Sequence, residues 1–470
     1  MTLIDQTVNY GILNLDLPVD DANYIRNRIF HLLNTYDNSP FILDTESIMD
    51  LSPHDLYIML RNYIIDHKIC DENYEIEALV DEIFGLLLPM PSDINSRVKE
   101  INRVSDFDAL MYLKKLGVNS NYINLFNINK NDKWNHIFGT NIIEYTINLS
   151  KPEKSNKDIA KALSNPTSPD DAPKCVLCYE NEGFYGNIKK APRSTLRLIP
   201  LTINGQPWYL QFSPYVYYEN HVILLNKNHV PMVINENTLE NLISFVNQFP
   251  SFFMGSNADL PIVGGSILNH EHYQGGTHVL PIMKASKRYD YVGDFFKESE
   301  VSYLDWFNST ILIKTKNVKE LRVIYSQILN KWRVFNDEKL GIISNENGVQ
   351  HNTITPILRK DDGVYKLFLI LRCNNTSQEY PDGIFHVHPE YFNIKKEGIG
   401  LIEAQGLFIL PGRLESEIGL IKEYLLSKKP LDSFLNENPE LEIHRSMIMK
   451  LEEIVDFKRD VTQQIRDYIS

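Results

Sequence analysis

The sequence predicts an α+β fold, in which a mostly antiparallel sheet has flanking helices and a helical region precedes the sheet. Three features of the 470 residues support this prediction. Apolar residues follow helical spacing through most of residues 1–150. Short β-rich runs separated by turn residues begin near residue 195. A similar order of strand, helix and strand pair returns after residue 300, which indicates a duplicated unit.

Composition and charge exclude several classes of protein. The chain has 470 residues, 43% of them hydrophobic, which is enough for about three globular domains. Its net charge of -14 argues against a nucleic acid or an anionic membrane as partner, so a phosphate-bearing ligand needs a local positive field. No run approaches the roughly 20 apolar residues of a membrane span. The start, MTLIDQTVNYGILN, lacks a secretory signal pattern and the 4 cysteines are too few for a disulfide framework, so we expect a cytoplasmic location.

The first 150 residues form the predicted N-terminal helical region. We expect helices over 18–36, 72–89 and 105–117, where apolar residues recur at intervals of three and four. A further helix is predicted from Pro91, because proline is favourable at the first position of a helix. The polar stretch 151–174 is rich in proline and serine and is predicted to be a linker or a surface excursion.

Two similar halves are predicted to follow, at 175–300 and 301–470. In the first half we expect a helix over 238–249 and strands over 195–203, 208–214, 221–226, 261–268 and 277–283. In the second half we expect a helix over 318–332 and strands over 309–315, 352–358 and 365–371. C-terminal helices are predicted over 414–426 and 444–469.

The stretch NHEHYQGGTH, residues 269–278, carries three of the 13 histidines of the chain. In a strand or a tight extended loop, His270, His272 and Gln274 share one face, and the two residues between them point the other way. The Cα atoms of the two histidines then lie about 6.5 Å apart, close enough to serve one site. The glycine pair at 275–276 would let the backbone approach a ligand closely.

A C-x-x-C pair, Cys175 and Cys178, precedes this motif. The pair is typical of a metal site or a redox pair, or it is a coincidence of buried cysteines. A redox pair needs a helix N-terminus beside a βαβ unit, which the flanking residues do not indicate. A metal site needs two further ligands, and two histidines would complete a tetrahedral zinc site. The candidate histidines are His221, His229, His270, His272 and His278.

The motif HEHYQ resembles the H-x-H-x-Q motif of the galactose-1-phosphate uridylyltransferases, a branch of the histidine-triad-like superfamily. RSTLRLIPL, SPYVYYENHVILL, SILNHEHYQGG, QHNTITPILR and GLFILPGRL resemble the second class of that family, found in Gram-positive bacteria. The resemblance covers roughly Cys175 to Arg413 and implies duplicated histidine-triad-like units. The better-known class has proline and glycine where this chain has Glu271 and Tyr273, both expected on the face away from the histidines.

The resemblance implies a role for each residue of the motif. In the family the second histidine is the nucleophile and the first is a metal ligand, so His272 and His270 take these roles here. The neutral amide of Gln274 is implied to hold a phosphoryl oxygen. The four implied metal ligands are Cys175, Cys178, His229 and His270. Because four protein ligands leave no open coordination position, the metal is predicted to be structural Zn2+, with iron as the alternative.

Further residues are implied to bind the substrate. Arg193, Arg197 and Asn257 match residues of the family's motifs, although a loop asparagine that only makes a turn fits Asn257 nearly as well. Lys189 and Lys190 fit a solvated surface equally well. A second metal site in the family has no clear counterpart here. The pair His386 and His388 is the suggestive match, and ordinary core or surface histidines fit that pair as well.

The implied reaction transfers UMP from UDP-glucose to galactose 1-phosphate through a uridylyl-histidine intermediate, in the Leloir pathway of galactose metabolism. The implied partners are UDP-glucose, UDP-galactose and hexose 1-phosphates, and the implied assembly is a homodimer that binds neither nucleic acid nor membrane. One alternative is another nucleotidyl transferase or a nucleotide hydrolase on the same scaffold. The other is a non-catalytic binding module stapled by zinc.

Overall fold

A computed structural model describes residues 1–150, 173–265, 267–293, 296–396, 398–427 and 429–470. The predicted linker or excursion over 151–174 lies outside these residues except for its last two positions. None of the helices in the described part of the chain combines the length and the apolar composition that crossing a bilayer requires.

The N-terminal region is mostly helical, as predicted. Its helices are α1 (Leu3–Asn14), α2 (Ala22–Leu32), α3 (Pro53–Asp66), α4 (Asn73–Leu87), α5 (Pro91–Asn102), α6 (Asp106–Asn119) and α7 (Leu125–Ile128). Polar caps explain where several of them begin. Thr2, Ser52 and Ser105 each accept a hydrogen bond from the backbone N–H three residues further on.

A ten-stranded antiparallel sheet forms the centre of the molecule. Its strands are β3 (Ile199–Ile203), β4 (Gln206–Phe212), β5 (Val222–Asn226), β6 (Phe253–Ser256), β7 (His272–Gly276), β8 (Lys287–Tyr291), β9 (Glu300–Leu304), β10 (Thr310–Thr315), β13 (Asn352–Asp361) and β14 (Val364–Cys373). A short separate pair consists of β11 (Asn345–Glu346) and β12 (Val349–Gln350). The strands of the large sheet lie in the order β3-β4-β5-β7-β6-β13-β14-β10-β9-β8.

The large sheet consists of two units with the same topology. In the first unit, β3, β4 and β5 form a meander, helix α8 (Glu236–Gln248) follows, and β7 of the β6–β7 pair lies next to β5. In the second unit, β8, β9 and β10 form the meander, helix α9 (Val318–Arg333) follows, and β14 of the β13–β14 pair lies next to β10. The units join where β6 pairs with β13. The predicted duplication is confirmed.

The two faces of the sheet have different neighbours. On one face, Trp208, Leu224 and Tyr273 are buried in a core that includes residues of α8, α9 and the N-terminal helices. On the other face, Phe253 and Phe368 pack in a second core with residues of α10 (Leu401–Ala404). The short connection that carries α10 therefore covers the sheet opposite the larger helices.

A small sheet links the two ends of the chain. It consists of β1 (Asp132–Phe138), β2 (Asn141–Asn148) and β15 (Leu407–Pro411), with β15 parallel to β2. The C-terminal helices pack on it and are α11 (Arg413–Leu426), α12 (Leu431–Glu437), α13 (Arg445–Ile454) and α14 (Val461–Ile469). The predicted helix over 444–469 is thus interrupted, and the β1–β2 hairpin was not predicted.

Two predicted strands are wrong. Residues 261–263 form a turn instead, in which the backbone N–H groups of Val263 and Gly264 donate to the carbonyls of Pro261 and Leu260, and residues 267–268 belong to no strand. Residues 277–283 run into a 3-10 helix, Pro281–Lys284, that begins at a proline. Apolar composition alone predicted both strands, whereas the strand that pairs with β7 is the earlier segment β6.

Candidate active site and metal centre

Four side chains from three distant segments meet at one end of β7. The ligand atoms of Cys175, Cys178, His229 and His270 all lie within 4.8 Å of one another. The sulfur of Cys175 lies 3.2 Å from Nδ1 of His270, and the sulfur of Cys178 lies 3.2 Å from Nδ1 of His229. The structure therefore brings together the four residues that the sequence analysis named as ligands, in a group that could bind a metal.

The distance between the two sulfur atoms of this group fits a tetrahedrally coordinated ion. Two sulfur ligands with Zn–S bonds of about 2.3 Å lie about 3.8 Å apart in a tetrahedral site. The sulfurs of Cys175 and Cys178 are 3.7 Å apart. A hydrogen bond from the Cys175 side chain is the main cause that lowers the pKa of Cys178, while burial acts in the opposite direction. A thiolate is the form in which cysteine binds a metal.

Local hydrogen bonds fix the orientation of the ligand residues. The side-chain amide of Asn181 donates to the backbone carbonyls of Cys175 and Cys178, both at 2.8 Å, and holds the C-x-x-C turn. Nε2 of His270 lies 2.8 Å from the carbonyl oxygen of Asn226. Because a carbonyl can only accept, Nε2 carries the proton and Nδ1 is free to bind the metal.

His272 begins β7 and is 5% exposed. Its Nδ1 lies 2.7 Å from the carbonyl oxygen of His270, so Nδ1 carries the proton and Nε2 has the free lone pair. Burial is the main cause that lowers the pKa of His272, to about 4, although the hydrogen bond to His270 opposes it. The ring is therefore neutral near pH 7, as an imidazole nucleophile must be.

The two residues between the motif's polar positions point away from the face of His272, as predicted, and lie against the helices. Tyr273 is 1% exposed and stacks on Trp208, with 5.2 Å between ring centroids. Its hydroxyl donates to a carboxylate oxygen of Glu271 at 2.9 Å and accepts from the amide of Asn241 in α8. Glu271 and Tyr273 thus attach the back of β7 to the core and leave its other face for His272.

Gln274 lies on the same face of β7 as His272, two residues further on. Its side-chain oxygen is 3.0 Å from Nε2 of His221. His221 is 1% exposed, and burial lowers its pKa to about 4, with the Gln274 hydrogen bond opposing the shift. A neutral His221 therefore donates from Nε2, and the NH2 group of Gln274 makes no hydrogen bond to any described residue. The structure gives His221 this contact and no place among the metal-binding side chains.

Asn257 follows β6 on the other side of β7. Since Ser256 pairs with Tyr273, the next residue along, Asn257, lies beside His272. The side-chain oxygen of Asn257 accepts from the backbone N–H of Leu401 at 2.8 Å. A Cβ atom on Gly265 would lie 2.7 Å from Nδ2 of Asn257, so only glycine leaves room for this amide.

The two arginines after the C-x-x-C turn have other neighbours than the motif strand. The guanidinium of Arg197 donates to four backbone carbonyls, those of Gly85, Pro89, Ser194 and Leu196. Arg193 lies near Asp81 of α4, and its charge contributes to lowering the pKa of that carboxyl group against a larger effect of burial. Neither arginine makes a hydrogen bond or ion pair with the described residues of the H-x-H-x-Q strand, so the substrate-binding role of both stays a prediction.

The other candidate residues have local partners. His278 pairs with Glu144 at 2.7 Å, and Lys190 donates to the carbonyl of Pro173 at 2.6 Å. His388 stacks on Tyr380. Within the described ranges, the only group of three or more cysteine, histidine or acidic side chains that could hold a metal is the Cys2His2 group. The glycines at 275–276 serve the sheet, because a Cβ on Gly275 would lie 2.2 Å from the Phe253 carbonyl oxygen.

The duplicated antiparallel unit, the H-x-H-x-Q strand and the Cys2His2 group beside it define an α+β protein in which a buried histidine lies next to a group that could bind a metal. Comparison with known families identifies it further. The model of the galactose-1-phosphate uridyl transferase N-terminal domain matches residues 16–231, and the model of the C-terminal domain matches residues 245–434. The chain belongs to the galactose-1-phosphate uridylyltransferase family.

Curated relatives extend this similarity over the whole chain. A galactose-1-phosphate uridylyltransferase of Clostridium perfringens is 41% identical over 469 residues, which cover 100% of this chain and 92% of the relative. That of Clostridium acetobutylicum is 44% identical over 414 residues, with coverage of 87% and 82%. That of Lactococcus lactis is 40% identical over 467 residues, with coverage of 98% and 91%.

Proposed function

We propose that this enzyme transfers UMP from UDP-glucose to galactose 1-phosphate, giving UDP-galactose and glucose 1-phosphate, by a ping-pong mechanism in the Leloir pathway of galactose metabolism. The observation that carries the proposal is the 2.7 Å hydrogen bond from Nδ1 of His272 to the carbonyl of His270. It leaves Nε2 unprotonated on a buried, neutral ring. The names of the curated relatives supply galactose 1-phosphate and the uridylyl group that is transferred.

In the first half-reaction, Nε2 of His272 attacks the α-phosphorus of UDP-glucose. A bond forms between nitrogen and phosphorus, the bond from the α-phosphorus to the bridging oxygen breaks, and glucose 1-phosphate leaves with that electron pair. The positive charge that develops on the ring is stabilised because Nδ1–H already points at the His270 carbonyl. In the second half-reaction, a phosphate oxygen of galactose 1-phosphate attacks phosphorus and His272 leaves as a neutral imidazole.

Gln274 positions the phosphoryl group that is transferred. His221 occupies the oxygen of the Gln274 amide, so the NH2 end is the end that can donate to phosphoryl oxygens. A neutral donor suits both half-reactions, because it neither repels phosphate nor binds the uridylylated state too tightly. Fixed donors of this kind are the main contribution that a protein makes to phosphoryl-type transfer.

Cys175, Cys178, His229 and His270 would hold a zinc ion, for which iron is the alternative. When bound, such an ion supplies structural rigidity, because its four protein ligands leave no open position for a substrate. Since His270 also provides the carbonyl that orients His272, the metal-binding group and the nucleophile share one residue. Its ligands would thereby anchor the nucleophile.

Intact-protein mass spectrometry tests the proposal. The enzyme should gain one acid-labile uridylyl group on mixing with UDP-glucose, and the His272→Ala variant should gain none. If UMP is released rapidly without galactose 1-phosphate, the chain is a hydrolase and the transfer proposal is wrong. A wild-type chain that gains no mass would support the binding-module alternative. The homodimer, the cytoplasmic location and the boundary between the halves at 300/301 stay predictions.

A further inference from the structure

A buried arginine lies on the face of the sheet that carries His272 and Gln274, which we call the active face. This arginine has no anionic partner among the described residues. Arg372, in β14, is 7% exposed, and its Nη2 donates to the backbone carbonyl of Ile399 at 2.7 Å. Its Nη1 is buried and has no hydrogen-bond partner among the described residues. The acidic side chain whose charge acts on Arg372 is that of Glu403, and this carboxylate is paired with Lys395 at 3.0 Å.

Strand register places Arg372 on the same face as the nucleophile. Gln274 is opposite Gly255, Gly255 is opposite Ile357, and Ile357 is opposite Phe368. Side chains of directly opposite residues point to the same face, and every second residue along a strand does so too. Arg372, four residues after Phe368, therefore shares the face of Gln274 and His272. With strands about 4.8 Å apart, the Cα atoms of His272 and Arg372 are about 16 Å apart.

Other buried polar atoms converge on the same place. The hydroxyl of Thr355 is buried and has no hydrogen-bond partner in the described part of the chain, and Thr355 lies one residue pair from Arg372 on this face. Neither ring nitrogen of His386 makes a hydrogen bond of normal geometry to a described residue. Nε2 of His386 lies 3.9 Å from the position that a Cβ on Gly398 would occupy.

These groups surround the segment 398–401. Arg372 bonds to Ile399, His386 approaches Gly398, and Asn257 bonds to the backbone N–H of Leu401. Since Asn257 also lies beside His272, the segment connects the buried arginine with the nucleophile. The arrangement offers a positive charge, a hydroxyl and an imidazole within one region of the active face.

We propose that Arg372, with Thr355 and His386, forms the subsite that binds the phosphate of the hexose 1-phosphate. This ligand is the leaving group in the first half-reaction and the acceptor in the second. The identity of this ligand rests on the proposed function. A guanidinium that is buried without a counter-charge destabilises the folded protein, and a phosphate monoester would supply both the charge and the acceptor oxygens. The chain carries a net charge of -14, so the positive field that holds the phosphates must be local. Arg197, a half-buried arginine near the C-x-x-C turn, already donates to four backbone carbonyls.

Another arginine of the same hairpin provides a matched control. Arg359, in β13, also has an Nη1 atom without a hydrogen-bond partner among the described residues. Its charge, however, is compensated by Asp361 at 2.6 Å, at the opposite end of the hairpin from Arg372. Arg359→Gln should therefore leave ligand binding unchanged.

Isothermal titration of the full-length protein with glucose 1-phosphate and, separately, with UMP tests the proposal. Neither ligand reacts alone, so the result does not depend on whether His272 accepts a uridylyl group. Arg372→Gln should weaken binding of glucose 1-phosphate by about 10-fold to 100-fold, the range for loss of a charge-assisted hydrogen bond. Its affinity for UMP should stay within about threefold of wild type. Inorganic phosphate should compete with glucose 1-phosphate for the wild-type protein, and glucose should not.

Unchanged binding of glucose 1-phosphate by Arg372→Gln overturns the proposal, and so does weakening that affects UMP alone or both ligands equally. Thermal unfolding provides a second readout. Glucose 1-phosphate should raise the melting temperature of the wild type and of Arg359→Gln but not of Arg372→Gln. If Arg372→Gln does not fold, Arg372→Lys retains the charge without the planar fork and should bind glucose 1-phosphate with reduced affinity. Wild-type affinity in Arg372→Lys would contradict recognition by the fork.

Discussion

Nε2 of His221 lies 3.0 Å from the side-chain oxygen of Gln274, which is 53 residues further along the chain. The other ring nitrogen of His221 is buried without a hydrogen-bond partner in the described residues. The ring therefore makes one hydrogen bond, and this hydrogen bond decides which end of the Gln274 amide faces the proposed substrate. His221 is a positioning residue, because it acts through Gln274.

Replacing this donor should slow uridylyl transfer. The variant His221→Phe keeps a ring among the neighbouring rings of Tyr217 and Tyr218 but leaves the oxygen of Gln274 unpaired, so the amide is free to rotate. We expect kcat to fall by about 10-fold to 100-fold, because a catalytic donor loses its fixed position. The KM for UDP-glucose should change by less than about threefold, since the ground-state contacts remain. Stopped-flow measurement of glucose 1-phosphate release checks both values.

The same substitution at His278 is the matched control for this variant. His278 belongs to the same stretch as the motif but pairs with Glu144 of the small sheet. His278→Phe should retain wild-type kcat. Equal losses in the two variants would mean that His221 has only a general structural role.

Burial of His221 should also make stability depend on pH. Its pKa is about 4 in the folded protein, compared with 6.5 as the ordinary value, so the unfolded chain binds the proton first as pH falls. The contribution of His221 to stability is therefore complete above pH 6.5 and is lost progressively between pH 6.5 and about 4. Between pH 7 and pH 5 the loss should be about 2 kcal/mol.

Urea unfolding of the wild type and of His221→Phe at both pH values measures this contribution. Other titrating groups, including the metal-binding residues, are common to the two proteins and cancel in the difference. The free energy of unfolding of the variant should fall by about 2 kcal/mol less than that of the wild type. Parallel pH dependence in the two proteins would show that His221 can be protonated in the folded state.

Removing the metal should destabilise the enzyme and prevent uridylylation. In the variant Cys178→Ser the Cys2His2 group loses one sulfur, so the C-x-x-C turn and the loop of His229 are no longer tied to His270. We expect loss of bound zinc, measured by elemental analysis, and destabilisation of at least about 3 kcal/mol. Cys70→Ser, which changes a cysteine outside this group, should retain zinc and activity.

Exchanging the bound ion distinguishes a structural role of the metal from a role in the chemical step. Because the four protein ligands leave no coordination position for substrate, Cd2+ or Co2+ in place of zinc should retain kcat within about threefold. A strong dependence of kcat on the ion would instead indicate that the metal polarises the substrate.

Gly275 should not tolerate a side chain. A Cβ there would lie 2.2 Å from the carbonyl oxygen of Phe253 in the neighbouring strand, so Gly275→Ala must separate β6 from β7. We expect a loss of about 3 kcal/mol or more in the free energy of unfolding, measured by urea denaturation. Gly419→Ala is the control, because a Cβ at Gly419 in α11 meets nothing within 4 Å. That variant should gain up to about 1 kcal/mol from helix propensity, and similar behaviour of the two variants would contradict the strand packing.

Local patterns were enough to predict much of the fold. Helices α2, α4 and α6 and strands β5, β10 and β14 lie within a few residues of the predicted ranges, because apolar spacing and turn residues act over short distances. The predicted strands over 261–268 and 277–283 were wrong, because an apolar run becomes a strand only when another strand pairs with it. The β1–β2 hairpin completes its sheet with β15, more than 250 residues away in sequence.

The sequence alone determined the chemistry that is available: a C-x-x-C pair, histidines and a glutamine at alternating positions, and the face on which they stand, since a strand alternates its side chains whatever surrounds it. Only the tertiary structure decided which partners these groups have. Arg197 bonds to the backbone, His221 bonds to Gln274, and Arg372 lies buried on the active face. Hydrogen bonds and burial depend on residues that are distant in the chain, so spacing along the sequence does not determine them.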